Sequence, residues 1–142
     1  MHSTCSPLFQ VLVRTTPVRK LPPSALAVKM ARDTVVSRLK AWGLGAVVDT
    51  AILITSELVT NAVRVGGPVA LRLAVVMDGG RRVLRLEVTD HGPGMSPTAI
   101  RCCLPDGDSC SGRGLPLINA LAERWGNEQR AGAHQVWVHL AI

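Results

Sequence analysis

Glu57 and Asn61, four residues apart, are the first side chains whose types and spacing suit chemistry. On a helix such a pair shares one face, about a turn apart. The carboxylate of Glu57 can then take a proton from a hydroxyl or a water, while the amide oxygen of Asn61 ligates Mg2+, a hard cation that prefers oxygen and keeps several waters. A solvated polar helix face is the plainer reading of the same pair. A second group follows at Asp90-His-Gly-Pro-Gly94. Asp90 shares the alternation phase of Leu84, Leu86 and Val88, so it is expected on a buried strand face, where an ionised carboxylate needs a donor. The exocyclic amine of adenine is such a donor; the carbonyl that guanine carries there is not. Gly92 and Gly94 permit tight turns and close approach by a ligand, although an ordinary strand-end turn uses the same residues. The third group, Gly112-Arg113-Gly114, runs into a helix at Leu115. Free N–H groups and the helix dipole at such a junction attract phosphate. A structural Gly-x-Gly turn is the alternative, and Arg113 suits either a phosphate or the solvent.

The elements that must position these groups can be read from periodicity. Phe9 to Arg14, between Pro7 and Pro17, predicts a short edge strand. Ser24 offers an N-cap to a helix carrying Ala27, Met30, Ala31, Val35, Leu39 and Trp42 at helical spacing and closed by Gly43. A second helix is predicted from about Ala46 to Val65, with Ala51, Ile54, Leu58, Ala62 and Val65 facing a core, and it stops at Gly66-Gly67-Pro68. Val69 to Met77 and Val83 to Asp90 read as strands joined by a turn across residues 78–82. Met95 to Ser111 has little periodicity and reads as a loop placed to cover a ligand. Leu115, Ile118, Leu121, Ala122 and Trp125 form the stripe of a third helix that ends before Gly126, and Val136 to Ile142 alternates as a closing strand. Together these predict one layered domain over residues 8–142, with residues 1–7 as a flexible start.

Composition removes several classes of function. Hydrophobic residues make up 47% of the 142 and charged residues 18%, which is globular and not disordered. With one Phe, three Trp and no Tyr, there is no aromatic platform for single-stranded nucleic acid. The net charge of +6 is scattered and accompanies no reader motif, so direct nucleic-acid binding is not expected. Cys5, Cys102, Cys103 and Cys110 are too unevenly placed for a disulfide scaffold, and the four histidines lack zinc-pair spacing. Neither a signal peptide nor an uninterrupted apolar run of the ~20 residues that span a bilayer is seen, so a reduced cytoplasm and no membrane partner are expected.

At these same residues the chain resembles the GHKL ATPase superfamily, with Glu57 to Asn61 similar to its N box, Asp90 to Gly94 to its G1 box and Gly112 to Leu115 to its G2 box. Within that group Thr55-Ser-Glu-Leu-Val-Thr-Asn-Ala-Val-Arg64, Ala120-Leu-Ala-Glu-Arg-Trp-Gly126 and Val136-Trp137 resemble the bacterial anti-sigma-factor serine/threonine kinases of the actinobacterial type. The resemblance implies an α/β two-layer sandwich, a mostly antiparallel mixed sheet with helices on one face, holding ATP and Mg2+. It implies Glu57 as base, Asn61 as Mg2+ ligand, Asp90 as adenine acceptor, and Gly92, Gly94, Gly112, Arg113, Gly114 and Leu115 around the base and phosphates. It further implies a sigma factor and an anti-anti-sigma protein as partners, and leaves a homodimer open. Two departures stand out: relatives often carry His at the position of Val65 and Lys-Thr at the position of His134-Gln135. Both bear on phosphate contacts, so a module that holds ATP and acts by sequestering a partner is the second expectation.

Overall fold

The computed structural model describes residues 11–91, 114–130 and 132–142. Two strands, β1 (Val11–Thr15) and β2 (Arg19–Leu21), precede helix α1 (Leu26–Ala41). A 3-10 turn at Gly45–Val47 leads into α2 (Val48–Val65), and then come β3 (Val69–Asp78) and β4 (Arg81–Asp90). Helix α3 (Gly114–Leu121), β5 (Arg124–Arg130) and β6 (Ala133–Ala141) complete the fold. The six strands form one sheet in the order β1-β3-β4-β6-β5, with β2 also on β3, and all its pairings are antiparallel. The helices pack on it, giving the expected α/β two-layer sandwich.

The core lies between the sheet and the helices. Ala27, Ala31, Val35 and Leu39 of α1 and Ala51, Ile54, Leu58, Val59 and Ala62 of α2 meet Leu71, Leu73, Leu84, Leu86, Val88, Val136, Val138 and Leu140 of the sheet. Alternation explains the sheet side, because directly paired residues share a face: Leu73 faces Leu86, and Leu86 faces Val138. The stretch Gly45–Val65 has the length and apolarity of a membrane span, and the core face of α2 accounts for that apolarity. Between β3 and β4 the link is tighter than predicted. Asp78 pairs with Arg81, so only Gly79 and Gly80 turn the chain, at φ of 61° and 80°, values that L side chains disfavour.

Three expectations are corrected. Ser24 does not cap α1: the N-cap is Ala25, without a side-chain bond, and Ser24 contributes its carbonyl to the Ala27 N–H at 3.0 Å. The third helix stops at Leu121, because the Glu123 N–H donates to the His139 carbonyl at 2.9 Å and draws the chain into the sheet. Trp125 and Gly126 therefore belong to strand β5, which the helical spacing had concealed. Val65, expected in the core, is 47% exposed. The predicted loop Met95 to Ser111, Phe9 and the flexible start fall outside the described residues.

On the opposite face of the sheet, Ala74, Val76 and Val83 form a small apolar cluster beside a chain of polar contacts. Arg72 donates to Glu87 at 3.1 Å, Arg85 donates to Glu87 at 2.6 Å, and Arg124 donates to Asp78 at 2.9 Å. Fully buried His139 links the two acids: its Nδ1 lies 2.9 Å from Asp78 and its Nε2 3.2 Å from Arg85. An ionised carboxylate only accepts, so Nδ1 carries the proton and Nε2 receives the guanidinium N–H. Burial pushes the His139 imidazole below its ordinary pKa, the Asp78 hydrogen bond opposes this, and the Arg85 charge adds to the lowering. Arg85 also stacks over Trp137, 4.8 Å from the ring centroid.

Candidate functional site

Asp90 ends β4, the strand flanked by β3 and β6, and is buried with 6% exposure. Its alternation phase and the register of β6 set its neighbour, because Asp90 pairs across the strands with His134, which is 4% exposed. The His134 Nδ1 lies 3.4 Å from the Asp90 carboxylate. Helix α2 packs on these strands and brings Asn61 into the same place. Leu58, Asn61, Ala62 and Val65 of α2 line a small cleft with Val88 and Asp90 of β4 and His134 and Val136 of β6. Its lining is mostly apolar and its polar side chains come from three elements, the arrangement typical of ligand sites. The cleft measures about 80 Å³, room for the edge of a base and not for a whole nucleotide.

The cleft gathers some of the residues singled out from the sequence and not others. Asn61 and Asp90 line it together. Glu57 lies one turn before Asn61 on α2, half-buried, and does not line the cleft. Gly114 opens α3 and Leu115 follows it in the same helix. Gly92, Gly94, Gly112 and Arg113 fall outside the described residues. The residue that sequence reasoning passed over is His134, noted only as a departure from relatives. Counting back from Val136 and Val138 along β6 places it on the inner face, so its phase could have found it.

His134 has a further property. Its Nε2 is buried and has no hydrogen-bond partner among the described residues. Buried polar atoms are nearly always paired, so an orphan on a side chain that lines the cleft fits a site that takes a polar ligand. A larger cavity of about 570 Å³ lies elsewhere, between the α1–α2 connection, the end of α3 and the last residues of β6. Leu44, Val47, Leu121, Leu140 and Ile142 line it and Thr50 brings its one side-chain hydroxyl, so none of its side chains carries a charge. Among the described residues no cluster of three or more His, Cys, Asp or Glu could hold a metal ion by itself.

A search of family profiles matches residues 21–141 to the histidine kinase-like ATPase domain. The chain belongs to that family. No match was found among curated proteins. Membership in the histidine kinase-like ATPases implies that the chain binds ATP, and it agrees with the observed sandwich of an antiparallel sheet under helices. The match runs from β2 through β6, so the cleft formed by Asn61, Asp90 and His134 lies inside the matched region.

Proposed function

We propose that this histidine kinase-like ATPase is a cytoplasmic regulator of the anti-sigma-factor type, a Mg2+-dependent protein serine/threonine kinase that phosphorylates an anti-anti-sigma partner and binds a sigma factor. The observation that carries the reading is the buried Asp90 carboxylate facing the same cleft as Asn61. In this reading Asp90 accepts from the adenine amine, a recognition that a guanine carbonyl cannot satisfy. Asn61 fits a Mg2+ site in kind: one amide oxygen beside a phosphate-bearing ligand suits an ion that takes few protein ligands and keeps waters. The ion would supply neutralisation of charge on the transferred phosphoryl group. Glu57, one turn away, takes the proton from the attacking serine or threonine hydroxyl as its oxygen bonds to the γ-phosphorus. The bond from that phosphorus to the β,γ-bridging oxygen breaks and ADP departs. Gly92, Gly94, Gly112, Arg113, Gly114 and Leu115 are assigned to the turns and helix start around the base and phosphates.

Titration of ATP into the wild type and Asp90→Asn tests the base contact. The amide keeps an acceptor and loses the charge, and a hydrogen bond to a charged group is worth about 1.5–3 kcal/mol against about 0.5–1.5 for a neutral one, so affinity should fall by roughly 5- to 13-fold. Unchanged affinity would remove Asp90 from the site. Incubation with labelled ATP and an anti-anti-sigma acceptor tests transfer; equal labelling by wild type and Glu57→Ala would remove Glu57 as base. A second reading, an ATP-holding module that sequesters its partner, draws on Val65. One turn beyond Asn61 it presents an apolar, half-exposed side chain that gives a phosphate no hydrogen bond. Nucleotide binding without turnover, together with capture of a sigma factor, would select this reading.

A further inference from the structure

We infer that His134 is a specificity-determining residue of the nucleotide cleft, and that its Nε2 accepts a second hydrogen bond from the exocyclic amine of the base, beside Asp90. The inference rests on the proposed placement of the base against Asp90 and deepens it. Three observations carry it. Asp90 and His134 are cross-strand partners on the face that lines the cleft, so both side chains reach the same space. The Asp90 carboxylate only accepts, so the ring nitrogen facing it at 3.4 Å, Nδ1, is the one that carries hydrogen. With that hydrogen on Nδ1, the lone pair of the ring falls on Nε2, which is buried and has no partner among the described residues. A second acceptor beside the first matches an amine with two N–H bonds and leaves a carbonyl at the same position facing lone pairs.

The arrangement explains why a polar ring takes a place in a cleft to which Leu58, Val88 and Val136 bring apolar atoms. A buried nitrogen without a partner destabilises the empty protein, and a ligand that completes it recovers that cost on binding.

The test compares ATP with purine riboside triphosphate, which carries hydrogen in place of the amine and adds no bulk. Calorimetric titration of the wild type, Asp90→Asn, His134→Leu and His134→Gln gives each affinity ratio. Leucine fills the site with apolar atoms, and glutamine returns an acceptor near the Nε2 position. The wild type should prefer ATP; His134→Leu should shrink that preference by about three- to tenfold, the worth of one neutral hydrogen bond, and His134→Gln should restore most of it. If Asp90→Asn lowers the preference while His134→Leu leaves it unchanged, the inference fails and the base site stands. If the wild type shows no preference, or binds neither nucleotide, the base site and the inference fall together. Nitrogen-15 NMR of the wild-type histidines supplies a readout that needs no variant. The Nε2 resonance of His134 should move further on addition of ATP than of the purine analogue, and equal shifts overturn the inference.

Discussion

Replacing Gly126 by alanine should destabilise the protein by about 1–2 kcal/mol, although the backbone there needs no glycine. Gly126 is not among the described glycines with positive φ, so conformational freedom does not explain its presence. Space does. A Cβ built on Gly126 would sit 2.7 Å from Cζ2, 2.9 Å from Cε2 and 3.0 Å from Nε1 of Trp137, its cross-strand partner. The indole cannot step aside freely: it is 5% exposed, Arg85 lies over its ring at 4.8 Å, and His139 packs against it at 4.8 Å between centroids. Overpacking of this kind costs about 1–3 kcal/mol. Alanine returns roughly 0.5–1 kcal/mol through reduced freedom of the unfolded chain; the difference spans about 0–2.5 kcal/mol, and an indole held in place puts the loss in its upper part, at about 1–2 kcal/mol. A chain of 142 residues unfolds with an entropy of about 0.3 kcal/mol per kelvin, so the melting temperature should fall by about 3–7 °C. Circular dichroism melts of the wild type and Gly126→Ala measure this, and the same pair in a Trp137→Leu background supplies the control. There the penalty should vanish. A variant that melts at or above the wild type, or a penalty that persists without the indole, refutes the reasoning.

The lowered pKa of His139 predicts a pH dependence of stability. Just below pH ~6.5 the unfolded ring takes up a proton that the folded ring refuses, so stability falls with falling pH until the folded ring is protonated too, at up to about 1.4 kcal/mol per pH unit. Urea denaturation from pH 7.5 to 5 should show a steeper loss for the wild type than for His139→Gln; parallel profiles would remove His139 as the cause. Thr55→Val should raise stability by about 1 kcal/mol, because the Thr55 hydroxyl is fully buried with no partner among the described residues, whereas Thr34 and Thr60 bond the carbonyls four residues back. A fall in the denaturation midpoint would show that the hydroxyl is paired.

What could be read directly from the residues is what local physics decides. The apolar spacing of α1 and α2 survives in the structure almost as expected, and the turn expected across residues 78–82 tightens onto Gly79-Gly80, since each rests on periodicity or backbone sterics within a few residues. Strand β5 did not, because Arg124-Trp-Gly-Asn-Glu-Gln-Arg130 has no β-branched residue and becomes a strand by pairing with β6. Trp125 deceived for a related reason: its indole N–H reaches back to Asn119 at 2.6 Å, so it contacts α3 while standing outside it. The cleft divides in the same way. The phases of Asn61 and Asp90 were legible within single elements, but the meeting of Asp90 with His134 depends on the β4–β6 register, which belongs to residues 44 positions apart.

The interruption between β1 and β2 has a bearing on how the protein behaves at high concentration. Thr16 turns its hydroxyl onto β3, accepting from the Leu73 N–H at 3.1 Å, and Pro17 follows with no N–H to offer. An outermost strand normally presents a continuous row of donors and acceptors on which another chain can template itself. Here that row is cut in the middle, and Arg14, Arg19 and Lys20, all exposed, place like charges on both sides of the cut. Along this margin the cut row and its like charges make the sheet a poor template for the strand of another chain.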